Sequence, residues 1–308
     1  RILALVSEEE LSIGELSSLL GDAQPTVSKQ LKPLRQAGLV TVRKEGTRVF
    51  ARLAEGATRD AVLADGVASG RAICASDGSL ARVAELVRER DAEARLFFER
   101  SPADEPELLP PELPAYMTAL ACLLPRRRLA VDVGTGDGSL LEALAPAFER
   151  VYAIDRATKQ LERARRRLTR RGYSHVILEQ ADYTDPAVAA RITAEGGADA
   201  VFAARVLHHA PQPAKAFEAL ASLAAPGGAI VVLDYVAHHD EALREQQADL
   251  WLGFSAESLR RDAERAGLIA EAHRTIPSVR CGAGPDAHLE WQAFVARRPP
   301  STSTERIE

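Results

Sequence analysis

The feature that most constrains this fold is a run of alternate glycines, Gly134, Gly136 and Gly138, within LAVDVGTGDGSLL at residues 129–141. Apolar residues before the glycines predict a short buried strand, and the residues after them predict the first turn of a helix. Glycine adopts positive φ without strain and lets a ligand approach the backbone. A strand, glycine turn and helix in this order are typical of nucleotide-binding α/β proteins. The alternative is a glycine-rich turn that binds nothing.

The spacing of the glycines indicates which kind of ligand the turn would bind. Dinucleotide-binding folds use G-x-G-x-x-G, whereas here Ser139 stands where the third glycine would be. The acids Asp132 and Asp137 would repel a pyrophosphate and favour a ligand with a cationic group. The stretch from Asp132 to Gly138 has the form D/E-x-G-x-G-x-G, and it resembles the first motif of class I S-adenosylmethionine-dependent methyltransferases. The resemblance implies S-adenosylmethionine or S-adenosylhomocysteine as the cofactor.

The rest of residues 126–298 alternates between strand and helix patterns. This alternation predicts a doubly wound, Rossmann-like α/β sheet that is mostly parallel, with an antiparallel last strand. Asp155 ends the second strand at the usual distance for an acid that binds ribose, although it could instead cap the next helix. The resemblance implies that Asp182 binds adenine, with Tyr183 either beside the adenine or at the edge of the core. The residues predicted to bind the cofactor are Asp132, Gly134, Thr135, Gly136, Gly138, Asp155, Arg156, Asp182, Tyr183 and Arg205.

The acceptor side of the predicted site is rich in histidine. RVLHHAPQP resembles the fourth motif of the methyltransferases, and parallel strands would bring His208 and His209 near Asp234 and the later HHDE segment. We predict His208, His209 and His239 as catalytic residues, because a histidine can deprotonate an acceptor near neutral pH. A histidine and carboxylate metal centre is chemically possible. Such clusters more often form polar pocket walls, so no metal site is assigned.

A segment that follows the fifth predicted strand, HHDEALREQQADLWLGF, is expected to form a lid or helix over the acceptor pocket. Trp251 and Phe254 would be its apolar anchors. No N-P-P-Y-like sequence follows the fourth strand, where enzymes that methylate DNA amino groups hold a flipped base. The expected acceptor is therefore a small molecule.

Residues 1–57 carry the pattern of a winged helix-turn-helix whose start is expected to be truncated. Three helical patterns are followed by LVTVRKEGTRVFARL, which alternates on both sides of Glu45 and Gly46 and predicts a β-hairpin. Ser12 and Glu15 form a capping-box signature. Residues 11–53 resemble the ArsR/SmtB family of bacterial winged-helix repressors. This resemblance implies double-stranded operator DNA as a partner.

The same region is basic, although the whole chain has a net charge of −5. Between residues 24 and 52 there are seven Lys and Arg side chains, opposed only by Glu45. Such a patch is the electrostatic footprint of a surface that binds the phosphate backbone. The residues predicted to contact DNA are Gln24, Thr26, Ser28, Lys29, Gln30, Lys32, Lys44 and Arg48. The alternative is a protein-interaction module with a solvated basic face.

Residues 58–125 are predicted to be a helical connector. A first helix is expected at residues 58–68, and the pattern is expected to break at Ser69, Gly70, Ser76, Asp77 and Gly78. The stretch SLARVAELVRERDAEARLFFE then carries an apolar stripe on a charged helix. The stripe must be covered by the second domain or by a twin helix of another chain. We expect a homodimer, because winged-helix repressors generally bind two half-sites. A proline-rich, hinge-like loop at residues 101–114 would follow, and residues 299–308 would form a flexible tail.

Composition limits the remaining choices. Three distant cysteines provide neither a disulfide framework nor zinc-ribbon spacing, and no apolar run approaches a membrane helix. The expected location is the cytoplasm, with no membrane partner. The predicted function is a DNA-binding transcriptional regulator whose methyltransferase domain methylates a small molecule. One alternative is a non-catalytic sensor of the cofactor that controls operator binding. Another is a methyltransferase whose winged helix binds only proteins.

Overall fold

The computed structural model describes residues 1–100, 113–282 and 284–300. The chain divides into two compact units, residues 1–92 with 238–242, and residues 93–237 with 243 onward. The domain bounds predicted from the sequence are a finer division and stay a prediction. Most of the predicted proline-rich loop and most of the predicted C-terminal tail lie outside the described residues.

The N-terminal elements follow the predicted order of helices and a hairpin. They are α1 (Ile2–Glu8), β1 (Leu11–Ser12), α2 (Ile13–Leu20), α3 (Gln24–Gln36), β2 (Val40–Glu45), β3 (Arg48–Leu53), α4 (Ala61–Ser76) and α5 (Ser79–Arg100). The three strands form an antiparallel sheet in the order β1-β3-β2. The predicted capping box starts α2, where Ser12 Oγ accepts from Glu15 N at 3.2 Å and Glu15 Oε2 accepts from Ser12 N at 2.7 Å. These elements confirm the winged helix-turn-helix.

The apolar stripe of α5 has a different role from the predicted one. Val83 is buried in the core of the first unit, and Leu80 and Leu86 pack against the same core. That core is built mainly from α1, α2 and α3, with Leu5 and Leu16 fully buried in it. The first part of the stripe is therefore covered within the first unit. The covered part of the stripe therefore does not require a second copy of the chain, and the homodimer stays a prediction.

Helix α4 is longer than the sequence predicts. The expected break at Ser69 and Gly70 is wrong, because the helix continues through both residues. The break expected at Ser76, Asp77 and Gly78 is confirmed, since the helix ends at Ser76, Asp77 is its C-cap and Gly78 has a φ of 75°. A Cβ at Gly70 would lie 3.1 Å from the Cβ of Ala4 in α1. Gly70 thus lets α4 pack closely on α1, and this packing compensates for the low helix propensity of glycine.

The second unit is a seven-stranded sheet with helices between the strands. Its elements are α6 (Leu113–Ala121), β4 (Leu129–Val133), α7 (Leu141–Ala147), β5 (Arg150–Asp155), α8 (Thr158–Arg171), β6 (Val176–Gln180), α9 (Pro186–Ala194), β7 (Ala198–Ala204), α10 (Pro213–Leu223), β8 (Ala224–Tyr235), α11 (Ala242–Gln246), α12 (Ala256–Arg265), β9 (Ile269–Ile276) and β10 (Trp291–Arg297). The strand order is β6-β5-β4-β7-β8-β10-β9, and β10 is antiparallel to both of its neighbours. The predicted mostly parallel sheet with an antiparallel last strand is confirmed.

This topology places the predicted site. Strands β4, β5, β6, β7 and β8 run parallel, so their carboxyl ends lie along one edge of the sheet. Every residue of β4 is buried, which fixes the position from which the glycine turn begins. Among the described helices, none combines the length and apolar character needed to cross a membrane.

Candidate functional site

The three glycines after β4 have different surroundings. Their φ angles are 63° at Gly134, 56° at Gly136 and 79° at Gly138, a region that favours glycine. A Cβ at Gly134 would lie 2.7 Å from a methyl group of Val206, and one at Gly138 would lie 2.9 Å from the Cβ of Ala164. A Cβ at Gly136 would meet no described atom within 4 Å. Two glycines therefore permit packing within the protein, and Gly136 borders space that a ligand can enter.

Asp132 shapes the turn from inside the protein. Its side chain is 1% exposed, and its Oδ2 accepts a hydrogen bond of 2.6 Å from Thr135 Oγ1. Burial raises the pKa of Asp132 to about 7, although the Thr135 bond opposes the shift and the charges of Asp155 and Asp137 add to it. The carboxyl group is therefore committed to holding Thr135.

The charge of the second acid in the motif is compensated. Asp137 Oδ2 lies 2.6 Å from the Nη2 atom of Arg167, whose side chain is largely buried on α8. These acids therefore repel a pyrophosphate less than their number suggests, since Asp137 is paired with Arg167 and Asp132 has a raised pKa. The geometry of the turn, rather than its net charge, is the stronger indication of the ligand.

Asp155 connects the end of β5 to the glycine turn. Its Oδ2 accepts from Gly136 N and its Oδ1 accepts from Ala157 N, both at 2.8 Å. Burial raises the pKa of Asp155, and these two backbone hydrogen bonds oppose the shift. Helix α8 has Ala157 at its N-cap position and no side-chain cap bond. Asp155 is therefore not simply a cap of helix α8, because its carboxylate also accepts a hydrogen bond from the Gly136 backbone.

Asp182 and Arg156 form the next part of the edge. Asp182 Oδ1 accepts from the backbone N of Thr184 at 2.8 Å and from its hydroxyl at 2.7 Å. Asp182 Oδ2 lies 3.4 Å from Arg156 Nη1, and the Asp182 side chain is 37% exposed. Tyr183 is half-buried beside it. These residues lie at the ends of neighbouring strands, as the adenine-side prediction requires, and their cofactor roles stay predictions.

Arg205 is held in place by Tyr235, Asp286 and Trp291. It has a positive φ of 58°, which is uncommon outside glycine. Its Nε donates to the Tyr235 hydroxyl at 3.2 Å, and its Nη2 lies 3.3 Å from Asp286 Oδ2. The guanidinium also lies over the Trp291 ring, 5.4 Å from the ring centroid. The predicted contact with the cofactor would have to be made beside these existing bonds.

The structure brings His208 and His209 together with two acids, a group that we call the His208 cluster (His208, His209, Asp234 and Asp249). His208 Nδ1 lies 2.6 Å from Asp234 Oδ1, as the sequence anticipated for this edge. Its Nε2 lies 3.6 Å from Asp249 Oδ1, and the rings of His208 and His209 are 4.0 Å apart. His209 Nδ1 lies 3.2 Å from Ala248 O. His208 and Asp249 are both buried.

Burial and charge act in opposite directions within the cluster. Burial by itself lowers the pKa of His208, but the carboxylates of Asp234 and Asp249 raise it above its ordinary value. Burial and the neighbouring His208 lower the pKa of His209 well below its ordinary value. Burial raises the pKa of Asp249 to about 6. A neutral His209 is therefore expected at physiological pH.

Sequence reasoning did not identify Asp249. Asp249 lies in the predicted lid segment, just before the apolar run Leu250, Trp251 and Leu252. An acid beside an apolar run was the one sequence signal that could have identified it. Trp251 and Phe254 are buried as predicted, and Trp251 Nε1 donates to Ala210 O at 2.6 Å. The third predicted catalytic histidine, His239, is exposed and belongs to the segment grouped with the first unit. The His208 cluster is complete without it.

The predicted DNA-contacting residues are all exposed in the first unit. They are Gln24, Thr26, Ser28, Lys29, Gln30 and Lys32 on α3, and Lys44 and Arg48 on the hairpin. Arg43 differs from them, because its Nε donates to Glu10 Oε1 at 2.8 Å and its guanidinium also bonds Glu45. The charge of Arg43 is thus compensated within the first unit. The basic patch therefore has fewer uncompensated charges than the seven Lys and Arg residues counted in the sequence.

Comparisons with known proteins match each unit separately. Residues 1–42 match the family model described as "Bacterial regulatory protein, arsR family", and residues 131–232 match the one described as "Methyltransferase domain". A biofilm growth-associated repressor of Agrobacterium fabrum is 48% identical over 50 residues, which are 16% of this chain and 43% of that protein. A ubiquinone biosynthesis O-methyltransferase of Burkholderia thailandensis is 38% identical over 106 residues, which are 34% of this chain and 43% of that protein.

Among solved structures, the N-methyltransferase NodS of Bradyrhizobium japonicum, in complex with S-adenosyl-L-homocysteine, is similar with 19% identity and a TM-score of 0.49. The similarity covers 67% of this chain and 99% of NodS. The chain spans less than half the length of the curated relatives named above.

Proposed function

We propose that this chain, which joins an ArsR-family regulatory segment to a methyltransferase domain, binds operator DNA and transfers a methyl group from S-adenosylmethionine to a hydroxyl group of a small molecule. The observation that carries the proposal is the open space beside Gly136, next to the Asp155 carboxylate that holds the Gly136 backbone. A bulky nucleoside ligand needs both a close backbone approach and an acid at the end of the neighbouring strand.

The residues present fit the cofactor. Asp155 Oδ2 accepts from Gly136 N and Oδ1 accepts from Ala157 N. A carboxylate has about four acceptor sites, so Asp155 keeps acceptor capacity for a ribose hydroxyl. Asp182 is more exposed and lies at the end of the next strand, on the side expected for adenine. When bound, S-adenosylmethionine supplies a methyl group on a positively charged sulfur. The protein has to hold this group in line with the acceptor and exclude water.

A hydroxyl acceptor is suggested by the relative described as an O-methyltransferase, whose similarity extends over 106 residues. Such an acceptor must lose its proton as the methyl group is transferred. His209 is the candidate base, because its lowered pKa keeps its ring neutral and its side chain is 11% exposed. His208 is buried beside Asp234 and can act only through its neighbours.

The DNA-binding part of the proposal rests on the exposed face of α3 and on the hairpin. The N-terminal residues of a recognition helix reach base edges in the major groove, and lysines nearby contact phosphates. Gln24, Thr26 and Ser28 are the candidates for base contacts. Lys29 and Lys32 are exposed further along the helix, and Lys44 and Arg48 are exposed on the hairpin. These four residues are the candidates for phosphate contacts.

A non-catalytic sensor is the second candidate function. It is favoured by the burial of the His208 cluster, where only His209 offers an exposed edge to an acceptor. A sensor would bind S-adenosylmethionine or S-adenosylhomocysteine more tightly in one DNA-binding state than in the other.

One experiment separates the two functions. The full-length protein is incubated with cofactor labelled in the methyl group and a cell extract, and operator binding is followed in parallel by a gel shift assay. Label transferred to a small product supports the enzyme. Release or tightening of DNA by S-adenosylhomocysteine, with no labelled product, supports the sensor. Absence of cofactor binding by calorimetry contradicts both.

A further inference from the structure

Three polar atoms of the His208 cluster are buried without a hydrogen-bond partner in the described part of the chain. They are His208 Nε2 and both carboxylate oxygens of Asp249. His208 is 0% exposed and Asp249 is 3% exposed. A buried carboxylate with no donor costs free energy that folded proteins rarely leave uncompensated. A cation bound between these side chains would give all three atoms a partner.

The spacing of these atoms fits a metal ion better than a hydrogen bond. His208 Nε2 and Asp249 Oδ1 are 3.6 Å apart, which is too long for a hydrogen bond. Two ligands of one tetrahedral zinc ion, each about 2.1 Å from the metal, lie about 3.4 Å from one another. One potential ligand atom from each of His208, His209 and Asp249 falls within 4.8 Å of the others.

Asp234 prepares His208 for this role. Its Oδ1 lies 2.6 Å from His208 Nδ1, while its Oδ2 accepts from the backbone N of Leu207 at 3.0 Å. A carboxylate on one ring nitrogen keeps the proton there and leaves the lone pair on the other nitrogen. The lone pair of His208 is therefore placed at Nε2, on the side of Asp249.

Asp249 is held firmly in position by its own segment. The backbone N atoms of Leu250 and Trp251 both donate to His208 O at 3.0 Å. Arg244 Nη1 donates to Asp249 O at 3.3 Å and to Leu250 O. The carboxylate thus faces the histidines because the surrounding backbone is fixed, which is the preorganisation that a metal site needs.

We infer that His208, His209 and Asp249 bind a divalent zinc ion. Two imidazole rings and one carboxylate suit zinc, whereas magnesium and calcium prefer oxygen ligands. Three protein ligands leave a fourth position for water or a substrate atom. Of the three ligands, His209 has the most exposed side chain, at 11%. The ion would tie the turn after β7 to the segment after α11.

The zinc site has a consequence for the proposed methyl transfer, and this consequence alone rests on the proposed function. A ring nitrogen of His209 that binds zinc cannot also accept a proton. The ion would then replace His209 as the group that helps the acceptor hydroxyl lose its proton.

The test uses the full-length protein after treatment with a chelator. Zinc binding is measured by calorimetry, and cobalt is added separately as a spectroscopic probe. We expect one ion per chain, visible cobalt absorption of tetrahedral strength, and no thiolate-to-cobalt band, because the ligands are nitrogen and oxygen atoms. A rise in Tm on adding zinc is also expected, since a ligand that binds only the folded state stabilises it.

Matched variants identify the ligands. Asp249→Asn keeps the shape of the side chain and should weaken zinc binding more than 100-fold, whereas Asp234→Asn only disturbs the orientation of His208 and should weaken it about 10–100-fold. His288→Gln changes an exposed histidine and should leave binding unchanged. If Asp249→Asn does not fold, His209→Gln gives the same test at a more exposed ligand.

Two results would overturn the inference. One is the absence of stoichiometric zinc and cobalt binding to the wild-type chain. The other is zinc binding that neither Asp249→Asn nor His209→Gln weakens. In either case the cluster is better described as a His208 cation between two carboxylates. Neither result bears on cofactor binding at Gly136, so failure of the zinc site and failure of the proposed function are distinguishable.

Discussion

The glycine turn and the His208 cluster lie at the same edge of one sheet, yet they treat their polar groups in opposite ways. At the turn, Asp132 bonds Thr135 and Asp155 bonds the Gly136 backbone, so the acids shape the surface before any ligand arrives. In the cluster, both carboxylate oxygens of Asp249 have no hydrogen-bond partner among the described residues. The acids of the turn have their hydrogen-bond partners within the protein, whereas the proposed zinc ion would supply the partner of Asp249.

The first unit repeats this contrast on a smaller scale. Arg43 is bonded to Glu10 and Glu45, and it supports the hairpin from within. Lys29 and Arg48 are exposed. A charged residue in a functional stretch can therefore serve the fold or a partner, and its bonds in the structure indicate which. The following predictions test that distinction, beginning with the largest expected effect.

The strongest test concerns the buried acid of the turn. Burial raises the pKa of Asp132 from 3.8 to about 7. A carboxyl group with a raised pKa stabilises the folded state below its unfolded pKa, and this stability is lost as the pH rises towards the folded value. Asp132→Asn removes the titration. The stability of the variant relative to wild type should therefore increase by up to about 4 kcal/mol between pH 4 and pH 7 and stay constant above pH 8.

Urea unfolding followed by tryptophan fluorescence measures this difference, because Trp251 and Trp291 both lie in the second unit. Glu162→Gln, at an exposed site on α8, is the control and should show no such dependence on pH. A constant difference between Asp132→Asn and wild type would mean that Asp132 is not buried as a titrating carboxyl group.

A pair of glycine variants separates packing from ligand space. Gly138→Ala adds a methyl group 2.9 Å from the Ala164 Cβ at a positive φ, and it should destabilise the second unit by about 3 kcal/mol. Gly136→Ala meets no described atom within 4 Å and should cost about 1 kcal/mol of stability from its φ alone. Only Gly136→Ala should lose cofactor affinity while the protein stays well folded, as measured by calorimetry. Equal losses of stability would remove the distinction between these glycines.

The third prediction concerns the acid that connects the turn to β5. Asp155→Ala should lower the affinity for S-adenosylmethionine about 10–100-fold, because a charge-assisted hydrogen bond contributes roughly 1.5–3 kcal/mol. Glu162→Ala changes an exposed acid of α8 and should have no effect. Calorimetry with both variants decides the matter, and an unchanged affinity in Asp155→Ala would mean that the cofactor assignment is wrong.

The smallest effect is expected at the DNA surface. Lys29→Ala should weaken binding to the DNA upstream of its own gene and reduce the salt slope by about 0.9, because one phosphate contact is lost. Arg43→Ala should leave the slope unchanged and reduce stability, because it removes the ion pair between Arg43 and the buried Glu45. Gel shift assays over a range of salt concentrations measure both slopes. A reduced slope in Arg43→Ala would show that its bonds within the first unit give way to DNA.

Much of the fold and part of the candidate site could be predicted from residues close in sequence. The capping box of Ser12 and Glu15 and the hairpin around Gly46 both depend on contacts within a few positions. The two family matches confirm the ArsR-type and methyltransferase predictions that these patterns supported. Local spacing specifies such features because the hydrogen bonds that form them are also local.

The failed predictions depend on distant partners. Gly70 lies within a continuous helix because Ala4 packs beside it, and the first part of the α5 stripe is covered by the core of the first unit. The sequence also suggested that the negative charge of Asp137 acts on a ligand, whereas Arg167 on α8 compensates that charge. None of these partners is near in sequence, so no local pattern could reveal them.

By itself, the sequence determined the class of both units, the position of the glycine turn and the presence of histidines after β7. Only the tertiary structure decided which acid joins those histidines, because Asp249 comes from a segment after the sheet strand that carries Asp234. It also decided which charges are compensated and which remain for a ligand. The physical reason is that burial and pairing depend on distances through space, and these distances exist only after the chain has folded.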